Sequence, residues 1–153
     1  MKILLAADGS APSEKAVSEV AHRPWPAGSS VEVLSVVEPV PLPATENWVA
    51  PDKYYQELLR AARNQAQAAI DKAVKLLRAS HGASLEIITN VIEGHPQRVI
   101  LDEAEAWGAD LIVLGSRGLG AFRRFLFGSV AHAVASHATC SVEIVHRRES
   151  HEN

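Results

Sequence analysis

Five short apolar runs recur along the chain: KILLAA (2–7), VEVLSVVE (31–38), SLEIITNVI (84–92), DLIVL (110–114) and SVEIVH (141–146). The first is unbroken until Asp8-Gly9-Ser10, as a strand covered on both faces reads. The second is rich in valine, which favours extended backbone. Between successive runs lie segments of helical periodicity. Parallel neighbours need crossovers of about a dozen residues or more, and each gap is long enough. The order β-α-β-α-β-α-β-α-β therefore predicts a single three-layer, doubly wound α/β domain, a parallel sheet with helices on both faces. Ligands of such folds bind beyond the carboxyl ends of the strands, where strand order reverses.

The helices announce themselves by spacing and punctuation. Ser10 or Ser13 is the expected cap of the first, with Pro12 and Glu14 in its first turn and Ala16, Val17, Val20 and Ala21 as its inner stripe. HRPWPAGSS breaks it. PVPLPATENWVAP carries four prolines in 13 residues and is expected as a surface loop. From Asp52 to His81 there is neither Gly nor Pro, and apolar residues return every three or four positions, so one long amphipathic helix is predicted with Gly82 at its end. A third helix follows Glu93-Gly94-His95-Pro96, with Val99, Ile100, Ala104 and Trp107 inward and Gly108 closing it. A fourth runs from about Gly128 to His137. The expected domain is 1–147, followed by a polar tail, 148–153.

Composition removes several classes. With 47% apolar and 22% charged residues the chain reads as an ordinary globular domain. A formal charge of −3 argues against a nucleic-acid binder, which needs a broad excess of Lys and Arg. No run approaches the ~18 uncharged apolar residues of a membrane span, and the opening apolar run is too short for a secretion signal. The single cysteine, Cys140, fits a reducing cytoplasm.

The fourth apolar run ends in Gly115-Ser116-Arg117-Gly118-Leu119-Gly120. Glycine lets main-chain N–H groups approach a phosphate and tolerates positive φ. Gly128-Ser129 opens the fourth helix, where the first N–H groups lack partners and the dipole favours an anion. No Asp or Glu occurs from Leu111 to Val142, a stretch of 32 residues that holds Arg117, Arg123 and Arg124. The bland alternative is a tight glycine turn with arginines on its solvated side. The loop is not a Walker motif, having no G-x-x-x-x-G-K-[ST], and Gly9 stands alone where a dinucleotide fingerprint needs three glycines. On the phosphate reading, main-chain amides between Gly115 and Ser129 converge on one pocket able to neutralise a triphosphate.

Gly115-x2-Gly118-x9-Gly128-Ser129 resembles the G-2x-G-9x-G-[ST] ATP-binding motif of the universal stress protein family. KILLAADGS, GHP, DLIVLGSRG, FGSVAHAV and SVEIVH extend the resemblance over nearly the whole chain. It implies a five-stranded parallel sheet of order 3-2-1-4-5, of the Rossmann-like, adenine nucleotide alpha hydrolase-like type. It implies Gly115, Gly118, Gly128 and Ser129 around phosphates and ribose, Asp8 at the nucleoside, and the Val36 backbone at adenine. Ala6 stands where some nucleotide-binding members have proline. The full expected nucleotide-binding set is Ala6, Asp8, Ser10, Val36, Gly115, Ser116, Arg117, Gly118, Gly128, Ser129 and Val130. The expected ligand is ATP, or ADP or AMP, with any Mg2+ or Mn2+ held by phosphates and water. The last strand, an apolar edge, is expected to pair with its copy in a homodimer through Ser141–His146, as the family commonly does.

Other constellations carry less. Asp8 alone also reads as a turn and helix cap. His132 and His137 lie about 140° apart around a helix, so no zinc face results. Gly115-Ser116-Arg117-Gly118 is not a G-x-S-x-G nucleophile elbow, and no acid–histidine pair goes with it. Trp48, Tyr54 and Tyr55 suit either a ligand cover or local packing; Phe122, Phe125, Leu126 and Phe127 suit either core or a second subunit. The reading is a nucleotide-dependent stress-response or signalling dimer with little or no catalysis. The competing readings are a slow ATPase or self-phosphorylating enzyme, an adenylate-forming ligase, and a ligand-free interaction module.

Overall fold

A computed structural model describes residues 1–39, 52–118 and 128–146. Its elements alternate as β1 (Lys2–Ala6), α1 (Ala11–His22), β2 (Ser30–Val37), α2 (Asp52–His81), β3 (Glu86–Glu93), α3 (Pro96–Trp107), β4 (Leu111–Gly115), α4 (Ser129–His137) and β5 (Ser141–Val145). The sheet order is β3-β2-β1-β4-β5, and all neighbouring strands are parallel. The chain winds outward from β1 through β2 to β3, then crosses back to lay β4 and β5 on the other side. Strand order therefore reverses between β1 and β4, and in doubly wound folds the ligand crevice lies beyond the carboxyl ends of the strands at such a point.

Side-chain alternation divides the core into two layers. Ile3, Leu5, Val31, Val33, Leu111 and Val113 face α1 and α2, meeting Val17, Val20, Ile70 and Leu77. Leu4, Leu34, Ile112 and Leu114 face the other way, toward Ile100 and Ala104 of α3 and Ala131 and Val134 of α4. Ile3, Leu4 and Leu5 are wholly buried, as a strand covered on both faces requires.

Ser10 caps α1, its Oγ accepting from the Ser13 amide at 3.3 Å, which settles the choice between the two serines. α2 begins and ends where the absence of Gly and Pro says it should. β3 starts at Glu86 rather than Ser84, because Ser84 closes a turn onto His81 through both its amide and its hydroxyl. The proline-rich segment from Val40, with Trp48, lies outside the described residues, as do Arg123, Arg124, the phenylalanines at 122, 125 and 127, Leu126 and the tail. Among the described residues, no helix is long and apolar enough to cross a membrane.

Candidate functional site

β1 ends against β2, where the Ala7 amide donates to Leu34 O at 2.8 Å. The next three residues turn sharply. Gly9 takes φ +79°, a left-handed conformation that glycine adopts without strain. The Asp8 Oδ1 atom accepts from the Ser10 amide at 2.9 Å, and the Asp8 amide donates to Ser13 Oγ at 3.0 Å. Ser10 Oγ donates to Arg117 O at 3.3 Å while accepting from Ser13. Ser10 and Ser13 are both buried. Two hydroxyls thus fix the Asp8 turn and tie it to the segment after β4.

That segment is held from three sides. A Cβ at Gly115 would lie 2.6 Å from both Pro12 C and Ser13 N, so β4 and the first turn of α1 touch main chain to main chain there. The Ser116 amide donates to Val145 O at 2.8 Å, and Ser116 O accepts from the Gly128 amide at 2.7 Å. A Cβ at Gly118 would lie 2.9 Å from Asp8 Oδ2, and one at Gly128 3.4 Å from Arg117 Cα. The glycines before and after residues 119–127 therefore stand against each other and against Asp8.

Gly128 is the N-cap of α4, with no capping side chain and no acidic residue in the first turn. The first bond into the helix is His132 N to Gly128 O at 3.0 Å, so the amides of Ser129, Val130 and Ala131 have no partner within α4. An α-helix start of this kind carries positive potential. Ser129 is exposed at its tip.

Two parts of the expected picture change. Among the described residues, positive-φ backbone at glycine is confined to Gly9, Gly28, Gly82, Gly94 and Gly108, so the three motif glycines matter for the missing side chain, not for a left-handed turn. The amides of Ser116 and Gly128 are bonded inside the fold, which takes these two out of the main-chain donors expected between Gly115 and Ser129. Ser10 Oγ is engaged twice within the protein and acts here as a brace.

Ala6, Val36 and Val130 are half-buried against the α3–α4 side of the core. In a strand, alternate residues aim their main-chain groups at alternate neighbours. Leu34 O meets Ala7 of the β1 segment and Val37 O meets the Gly94 amide beyond β3. By that alternation the Val36 main chain is aimed toward β1, which has already ended at Ala6 opposite Leu34. The switch point thus has half-buried apolar residues on its α3–α4 side, with the Val36 main chain directed toward β1. Asp8 is the one carboxylate in the predicted set. Among the described residues, no three His, Cys, Asp or Glu side chains gather in a way that could hold a metal ion.

Ser13, outside the expected set, holds the Asp8 amide through its hydroxyl. Its only signal was position, three residues after Ser10 in the helix's first turn.

The chain is thus a doubly wound α/β domain with a helix start, a glycine segment and a carboxylate at the switch point, the place where folds of this class bind their ligands. Residues 1–146 match the family model described as Universal stress protein family, and the chain belongs to that family. It is similar to the universal stress protein YxiE of Bacillus subtilis, at 31% identity over 94% of this chain and 97% of that protein. The universal stress protein UspA from Lactobacillus plantarum superimposes with a TM-score of 0.79 at 27% identity, covering 95% of this chain and 97% of that one. A universal stress protein crystallised in complex with cAMP gives a TM-score of 0.65 at 25% identity, covering 95% of this chain and 97% of that one.

Proposed function

We propose that this chain is an adenine-nucleotide-binding universal stress protein that holds ATP, or ADP or AMP, in the crevice between β1 and β4. The observation that carries this reading is the approach of Gly118 to Asp8: a Cβ at 118 would lie 2.9 Å from Asp8 Oδ2, and Gly128, the N-cap of α4, stands against Arg117 and Gly118 on the same segment. In this arrangement Asp8 accepts from the nucleoside and Ala6, Val36 and Val130 flank the base. The amides of Arg117, Gly118 and the first turn of α4 take the phosphates, joined by the Ser129 hydroxyl. Gly115, Ser116, Ser10 and Gly128 hold these groups in place. The solved relative with cAMP supports an adenine ligand.

A divalent cation, where one accompanies the nucleotide, rests on phosphate and water, since Asp8 already accepts from Ser10 and no second carboxylate belongs to the set. The same scarcity argues for binding with little turnover, because phosphoryl transfer needs a group to orient the attacking water. The protein then works in the cytoplasm as a nucleotide-responsive homodimer, paired through β5.

Thermal unfolding with and without Mg-ATP, followed by a phosphate-release assay, tests the reading. Ligand at about 100 times its Kd stabilises by ~2.7 kcal/mol. A rise in Tm without phosphate release is expected, and Gly118→Val is expected to abolish the rise while the protein still folds. No rise in the native protein, or an unchanged rise in the variant, overturns the site; release at several turnovers per second makes the protein an enzyme.

A further inference from the structure

The middle of β2 carries a carboxyl group that the crevice does not use. Glu32 is 1% exposed and lies in register between Leu4 of β1 and Ile88 of β3. Alternation puts it on the same face as Leu34, beneath α3. Its Oε1 accepts from Asn90 Nδ2 at 2.6 Å. Its Oε2 is buried without a donor. Glu103 of α3 is half-buried and lies between the buried Ile100 and Ala104, on the side of the helix that covers the sheet, and its charge acts on Glu32. The neighbouring register positions on β1 and β3 are apolar, and α3's Arg98 is turned outward onto Asp102 at 3.6 Å. Among the described residues, Glu103 and Asn90 are the polar groups that act on Glu32, and no cation is among them.

Two facing carboxylates in a sheet interior, without a cation, are costly if both are ionised. A proton on Glu32 removes the repulsion and turns its orphaned oxygen into a donor toward Glu103. We propose that Glu32 keeps its proton in the folded protein and donates it to Glu103 across the β2–α3 interface, so that the docking of α3 on the sheet depends on pH. Burial first, and then the charge of Glu103, raise the Glu32 carboxyl above its usual range, against the Asn90 hydrogen bond. A carboxyl raised by folding stabilises fully below its unfolded pKa, and that contribution is lost as pH rises through the folded value. Since α3 also packs on α4 through the α3–α4 side of the core, loosening it reaches the helix whose first turn opens on the crevice.

The test compares denaturant unfolding of the native protein, Glu32→Gln, Glu103→Gln and the double variant, without nucleotide, from about pH 5 to about pH 9, a span that covers a carboxyl raised by a few units. Glutamine keeps the shape and removes the titration. Each unit by which folding raises the Glu32 pKa should appear as about a tenfold gain of Glu32→Gln over the native protein in the folded-to-unfolded ratio as pH rises. Glu103→Gln should show a smaller gain in the same direction, because Glu32 stays buried in it, and the double variant no more than Glu32→Gln. Amide exchange in α3, corrected for its intrinsic pH dependence, should quicken with pH more in the native protein than in Glu103→Gln. If Glu32→Gln does not fold, Glu103→Gln on the outer helix carries both measurements. Parallel pH profiles for native protein and Glu103→Gln overturn the proposal, as does a gain confined to Glu32→Gln. Stabilisation of the native protein by free Mg2+ or Ca2+, lost in Glu103→Gln, overturns it in favour of a bound cation.

Discussion

Gly115 and Gly118 sit three residues apart and are glycine for different reasons. At 115 a side chain would strike main-chain atoms of Pro12 and Ser13 at 2.6 Å, and these cannot swing aside. At 118 it would meet the end of the Asp8 side chain at 2.9 Å, which can. Gly115→Ala is therefore expected to cost ~1–3 kcal/mol of stability by overpacking. Gly118→Ala should cost less than about 1 kcal/mol while weakening the response to nucleotide. Chemical denaturation of both variants, with and without Mg-ATP, checks this; equal stability losses would remove the distinction. The spacing of the motif shows where glycines stand but not what each missing Cβ would touch. That depends on how β4 meets α1, two elements distant in sequence. Asp8 was legible because it ends an apolar run. Ser13 was not, because its partner is the Asp8 amide and nothing in composition marks a hydroxyl that accepts from main chain.

At the scale of elements, local punctuation carried most of the information. α2 follows from 30 residues without Gly or Pro, and the ends of α3 from Pro96 and Gly108. The sheet order came only with the family resemblance, since alternation alone gives parallel strands without saying which lie side by side. The β3–α3 connection shows how tightly such joints are built. Gly94 has φ +154°, its amide donates to Val37 O at 3.0 Å, and a Cβ there would come within 2.7 Å of Val99 Cγ2 on α3. Gly94→Ala thus adds backbone strain and a clash, together ~1–3 kcal/mol. Val99→Ala should relieve the clash but not the strain. In a double-mutant cycle the pair is expected to lose less stability than the two single variants added together. Strict additivity would mean that α3 already shifts away from the turn.

On the scale of the whole molecule, winding the chain outward from the centre leaves β3 and β5 as the two edges. An apolar edge strand is a template for pairing, and a two-fold axis beside β5 would use it up. The main-chain direction of β5 provides a clean test. Val145 O accepts from Ser116, so the main chain of Val145 is turned toward β4. By alternation the amides of Val142 and Ile144 point to the outer side. Proline is tolerated on an edge strand where the lost N–H faces outward. Val142→Pro should therefore leave the β4–β5 ladder intact and remove one donor from the proposed subunit contact. Light scattering is expected to give twice the 16.5 kDa chain mass for the native protein and the chain mass for the variant. The variant should keep its Tm rise with Mg-ATP, since the crevice between β1 and β4 lies on the other side of β4 from that edge. A dimer that survives the substitution would move the contact away from β5, and loss of both dimer and nucleotide response would mean that pairing at this edge helps to form the crevice.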